Sequence, residues 1–268
     1  MDSKHEYKKH YVAFLDILGF KNMLDEKANC DEIYSVFEEL KKNSHTSLFY
    51  NGEDVTSFDD VKYYIMSDSI VLYIPTDIED SFLALVGTCL KLQMNLLFRE
   101  KPILIRGGIA KGNLFVEGNI IFGQGLSDAY KIENDISIYP RIVFNKDLLQ
   151  EAKLSNESGN KKHWETMMIG RDDDELCFVY YLSFAWIGDL NNIPLYWDRV
   201  LTCCQRYLDS SYNKSIRDKY LWLKKYLVRE LELQKDFVKS LPKGTETITR
   251  WVYYNQPRMG VGVICNNE

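Results

Sequence analysis

Histidine is scarce, cysteine is unpaired, and long apolar runs are missing. Only four histidines occur in 268 residues. His10 precedes the first apolar run and His163 sits in a lysine-flanked polar stretch, so both read as surface residues and argue against a histidine-rich metal centre. The six cysteines (Cys30, Cys89, Cys177, Cys203, Cys204 and Cys265) are scattered, with no paired metal-ligand spacing. No secretory leader pattern opens the sequence. The expectation is reduced thiols in a cytoplasmic protein. No apolar stretch is long enough to span a bilayer, so no membrane partner is expected. An excess of positive charge is also missing. The formal net charge of −6 and a pI of about 5.4 argue against an electrostatic nucleic-acid binder. Neither a repeat nor a low-complexity linker is present. What remains is a chain with 46% hydrophobic residues, enough for a sizeable core.

The periodicity gives an ordered set of elements. YVAFLD, over 11–16, reads as a buried strand, and a helix follows with Ile33, Val36, Phe37 and Leu40 on one face. Residues 44–60 are polar and turn-rich. VKYYIM and SIVLYIP, around 61–75, read as two strands joined at Ser67-Asp68. A helix is predicted over 78–98, a strand over 103–110, glycine-rich strand and turn over 112–125, a short helix over 127–134 and a strand over 141–145. Residues 154–176 read as loop, 177–184 as a late strand, and 195–239 as helical. Antiparallel neighbours mixed with crossover helices predict an α/β (α+β) sandwich of the ferredoxin-like kind, with helices on one face. Residues 1–150 form the expected core. Residues 151–268 add late strands and a helical extension packed on it.

Two carboxylates stand out. Asp16 ends the first apolar strand, and Asp68 sits at the tip of the hairpin. If that strand lies beside the hairpin, both carboxylates converge at one end of the sheet, where they would repel unless one stays protonated or a cation intervenes. Hard oxygen ligands favour Mg²⁺ or Mn²⁺, with the Ile17 carbonyl as a further donor. The amides of Gly19 and Phe20, at the start of the next helix, point where a phosphate would lie. Alone, either aspartate reads better as a helix or turn cap; the two together, each after an apolar strand, read better as metal ligands.

FLDILGF, MSDSIVL and RGGIAKG (106–112), in that order, resemble the signature segments of class III nucleotidyl cyclases. GQGLSDAYKIE (123–133) is similar to that family's later segment. The resemblance covers about residues 10–145. It implies the class III cyclase sandwich and closure of a nucleoside triphosphate to a 3′,5′-cyclic monophosphate, with release of pyrophosphate. It further implies two metal ions per site on Asp16, Ile17 and Asp68, a phosphate-binding role for Arg106, and a homodimer with sites at the subunit interface. Ser127 and Lys131 fall on the family's transition-state Asn and Arg; otherwise they read as an N-cap serine and a surface lysine. The product would be read by a separate cyclic-nucleotide-binding effector.

The departures are informative. Purine cyclases read their base with a polar residue four positions before the second Asp, where Tyr64 stands here. The second selector, an Asp in adenylyl cyclases, falls on Ile120. Loss of both resembles the pyrimidine cyclase branch, which acts on UTP or CTP in bacterial antiphage defence. Tyr64 is equally readable as a plain strand tyrosine. Two rivals are weighed beside this. A phosphatase of the haloacid dehalogenase type needs an acid two residues after its nucleophilic Asp, and Leu18 stands there. A degenerate cyclase-like module, acting in dimerisation or nucleotide sensing, would tolerate Ser127 and Lys131.

Overall fold

The computed structural model describes residues 5–25, 30–43, 47–50, 53–57, 60–150, 168–182 and 193–233. Cys265, Trp251, most of the 154–176 stretch and the ends of the predicted late strand and last helix lie outside the described residues.

The first strand, β1 (Lys8–Ile17), is followed by two short helices, α1 (Phe20–Asp25) and α2 (Cys30–Asn43). A small hairpin of β2 (Ser47–Tyr50) and β3 (Glu53–Ser57) stands apart from the main sheet, in the stretch that reads as turn-rich. Next come β4 (Lys62–Met66), β5 (Ser69–Pro75), the long helix α3 (Ser81–Leu97) and β6 (Ile105–Glu117). β1 lies between β5 and β6, antiparallel to both, and β4 flanks β5. Each crossover thus skips one strand: β1 to β4 with β5 between, and β5 to β6 with β1 between. This is the split β-α-β pairing of a ferredoxin-like core.

The sheet then continues. β8 (Ile142–Phe144) runs parallel to β6, and β10 (Cys177–Val179) and β9 (Ile169–Arg171) complete the order β4-β5-β1-β6-β8-β10-β9. β7 (Ile120–Phe122) folds back on the end of β6. β9 falls inside the stretch predicted as loop. Its three residues include Gly170, whose missing side chain admits the Phe178 ring; an added Cβ would lie 2.7 Å from that ring. So short a strand has no periodicity of its own and is set by its partner.

Alternation sorts β1 between two cores. Tyr11, Ala13, Leu15 and Ile17 pack with α3 in the main core, while Val12 and Phe14 face the other way. α3 is buried nearly all round, as a helix apolar on most sides should be. On the second face, helix α4 (Gln124–Lys131) packs Ala129 and Leu126 against Val12, Val71 and Ala110. Helices therefore cover both faces, not the one that was expected. The glycines of RGGIAKG explain how α4 fits. A Cβ on Gly108 would lie 2.5 Å from the Ala129 carbonyl oxygen, and one on Gly112 would lie 2.6 Å from the Gly125 nitrogen. α4 ends in a π-helical turn, Ile132–Ile136.

Two helices close the described chain, α5 (Ile193–Ser210) and α6 (Lys214–Leu233). Trp197 is buried against Phe98, and Tyr207 and Tyr220 stack at 4.2 Å between the two helices. α6 is tied to the core through Arg141, which is only 1% exposed. Arg141 bonds Asp172 at 2.5 Å and also pairs with Asp174, while the Trp222 indole donates to Asp172 at 3.1 Å. No described helix is long and apolar enough to cross a membrane, and the five described cysteines form no disulfide.

Candidate active site

The even-numbered residues of β1 and β6 share the α4 face, so Asp16 and Arg106 face each other as a cross-strand pair. The Arg106 Nε donates to Asp16 Oδ2 at 3.2 Å, each side chain being 21% exposed. Arg106 Nη2 lies 2.6 Å from Glu133 Oε1, and Nη1 donates to the Ser137 carbonyl at 3.1 Å. Glu133, in the π turn, is buried. Burial pushes its carboxyl up, the Arg106 guanidinium pulls it down, and the charges of Asp16, Asp135 and Asp68 push it up again.

Asp68 occupies the two-residue turn between β4 and β5, where Ser67 adopts a φ of +57°. The Ile17 amide donates to the Asp68 carbonyl at 3.0 Å, and Asp16 is in register with Ser69. The backbones of the two aspartates are therefore neighbours at one rim, and both carboxylates act on Glu133. Two carboxylates and a backbone carbonyl do not make a closed protein cage for a metal. No group of three or more His, Cys, Asp or Glu suited to a metal occurs among the described residues. The donor set fits Mg²⁺ or Mn²⁺ shared with phosphate oxygens, the usual way Mg²⁺ is held.

The other sequence candidates divide. Gly19 turns the chain out of β1 with a φ of +79°, a conformation that favours glycine. The Phe20 ring is buried against Phe37, so only its backbone is available to a ligand. The Tyr64 hydroxyl donates to the Gly118 carbonyl at 2.7 Å, which brings Tyr64 to the turn before Ile120. That bond engages the one proton the Tyr64 hydroxyl can donate. Ile120 is 57% exposed and lies on β7, at the opposite end of β6 from Arg106. Ser127 and Lys131 lie on the solvent side of α4, with Lys131 3.9 Å from Asp128. Arg106, expected to bind phosphate, is held here by two carboxylates and a backbone carbonyl.

Sequence reasoning missed Lys219. It lies on α6, its ammonium is pulled down by burial and by Arg106, and Asp16 opposes this. It also missed the structural weight of Arg141. Neither stands in a motif. Lys219 is one of many charges on an amphipathic helix, and only the docking of α6 brings it to the rim.

No protein-family model matches the chain, and no curated protein matches it. Among solved structures, it is similar to an adenylate/guanylate cyclase/hydrolase from Silicibacter pomeroyi, with a TM-score of 0.39 and 16% identity, covering 56% of this chain and 83% of that one. It is also similar to a class III adenylyl cyclase-like ATP-binding protein from Pseudomonas aeruginosa, with a TM-score of 0.37 and 14% identity, covering 54% of this chain and 34% of that one.

Proposed function

We propose that the chain is a nucleotidyl cyclase that converts UTP or CTP to its 3′,5′-cyclic monophosphate and pyrophosphate, as a second-messenger signal in bacterial antiviral defence. The observation that carries the reading is the meeting of Asp16 and Asp68 at one rim, through the Ile17 amide and the Asp68 carbonyl at 3.0 Å. In the reaction the 3′-oxygen bonds to the α-phosphorus, the bond from that phosphorus to the bridging oxygen breaks, and pyrophosphate leaves with the electron pair. The 3′-hydroxyl proton passes to solvent.

Asp16, Asp68 and the Ile17 carbonyl would hold Mg²⁺ or Mn²⁺, two per site, which when bound supplies charge neutralisation and lowers the pKa of the 3′-hydroxyl. Arg106 fixes the position of Asp16 by a charge-assisted bond, and Glu133 fixes Arg106 in turn. Tyr64 and Ile120 take the place of a polar purine-reading pair, so the base is held by ring contact and shape.

We read the protein as a homodimer with sites at the interface; Ile120, Phe122 and Tyr130 are large, exposed apolar residues suited to it. A separate cyclic-nucleotide-binding effector would read the product. The engagement of Arg106 by Asp16 and Glu133 favours a second reading, a degenerate module that senses nucleotide without turnover.

One reaction separates the two. The full chain is incubated with all four nucleoside triphosphates and Mn²⁺, and the products are resolved by mass spectrometry. Cyclic UMP or cyclic CMP with matching pyrophosphate, absent from Asp68→Ala, supports the cyclase. No pyrophosphate from any nucleotide supports the module, and a cyclic purine nucleotide as main product overturns the pyrimidine assignment.

A further inference from the structure

A cavity of about 480 Å³ opens between the β1–α1 turn at Leu18 and Gly19, the segment leading into β6, and the α5–α6 pair. That volume is in the range of small-molecule sites. Lys101, Arg206 and Lys219 line it, each from a different element, and among the described residues no carboxylate does. Three cations gathered in one cleft of a chain whose net charge is −6 make a local field opposite in sign to the whole. Tyr207 and Tyr220, stacked on each other, form part of the wall and hold α5 and α6 in register there.

Lys219 belongs to two places at once. It lines the cavity, and it feels the charges of both Arg106 and Asp16. The cavity therefore opens beside the carboxylate rim and not on a remote surface. Cations on three elements, spread around a cleft, match an extended anion carrying several charges better than a single carboxylate.

We propose that this cavity is a polyphosphate site whose cationic wall is supplied within the same chain by α5 and α6, through Arg206 and Lys219, with Lys101 opposite. This assigns the C-terminal helices a role as positioning elements for the phosphate chain. That the anion belongs to a nucleoside triphosphate rests on the cyclase reading; that the cavity binds polyphosphate does not.

The test is calorimetric titration of the full chain with inorganic tripolyphosphate in EDTA, then displacement by an α,β-methylene UTP analogue. Tripolyphosphate is expected to bind, and Lys219→Gln and Arg206→Gln are each expected to weaken it about tenfold or more. Lys219→Arg should retain binding, while Lys214→Gln, exposed on the same helix, should match the parent. Melting curves identify any variant that fails to fold, and the Lys219→Arg and Arg206→Gln results then decide. Binding that is unaltered in both glutamine variants, or equally weakened by Lys214→Gln, overturns the proposal. If binding depends on Arg206 and Lys219 but no cyclic nucleotide forms, the site stands and the cyclase reading falls. If cyclic nucleotide forms with an unchanged KM in both glutamine variants, the cyclase stands and this site falls.

Discussion

Arg106 and Asp16 face each other across β6 and β1, with the guanidinium Nε 3.2 Å from Oδ2. The pair continues to the buried Glu133, so one cation serves two acids on the covered face of the sheet. Removing that cation leaves two carboxylates together in a partly desolvated place. Arg106→Ala is expected to lose about 3 kcal/mol of stability in urea unfolding. Combining it with Glu133→Gln should restore part of the loss, since the buried charge is gone. A single mutant that unfolds like the parent would contradict this arrangement.

Glu133 also gives a pH dependence with a definite sign. Burial raises its carboxyl above the ordinary value of 4.5, against the pull of Arg106. A raised carboxyl favours the native state below its unfolded value, and that contribution is lost as pH rises through the folded value. The melting temperature of Glu133→Gln should therefore gain on the parent as pH is raised from about 4 toward neutrality. A gap that closes instead would show that Arg106 outweighs burial.

The carboxylate rim was legible because its parts are local. YVAFLD is a strand by composition, Ser67-Asp68 is a turn between apolar runs, and Asp follows each run. Placement of β1 beside that hairpin follows from split β-α-β topology. What stayed hidden depends on contacts distant in sequence. The three residues of β9 gain meaning only beside β10, and the second-face position of α4 rests on glycines whose neighbours are not adjacent in the chain. Lys219 reaches the rim because α6 docks on the core, through Leu223, Tyr226 and Leu227 and through the Trp222 and Arg141 contacts.

Gly108 tests the seating of α4. An added methyl would come within 2.6 Å of Ile132 Cβ and 2.7 Å of the Glu133 nitrogen. Gly108→Ala should cost about 2 kcal/mol and move Glu133 away from Arg106. Turnover should fall with it, measured on protein still folded by circular dichroism.

Asp172 links the β9–β10 turn to both Arg141 and Trp222. Asp172→Ala leaves a buried guanidinium with less compensation and releases one tie on α6, at about 2–3 kcal/mol. Because α6 carries Lys219, tripolyphosphate affinity should drop as well. Stability lost with affinity unchanged would separate the latch from the cavity.

Base choice is testable by reinstating the absent pair. Tyr64→Lys combined with Ile120→Asp, which returns a polar residue to the first position and an Asp to the second, should move the product ratio from pyrimidine toward cyclic AMP in a mixed-nucleotide reaction. It should also free the Gly118 carbonyl now bonded by Tyr64. An unchanged ratio would remove both positions from base recognition.

The most direct measurement is Mn²⁺ binding, followed by electron paramagnetic resonance on the full chain with a non-cyclisable UTP analogue. The account predicts nucleotide-dependent Mn²⁺ binding that is lost in Asp16→Asn and in Asp68→Asn alike, in variants that still melt cooperatively. Binding that survives both substitutions would contradict it.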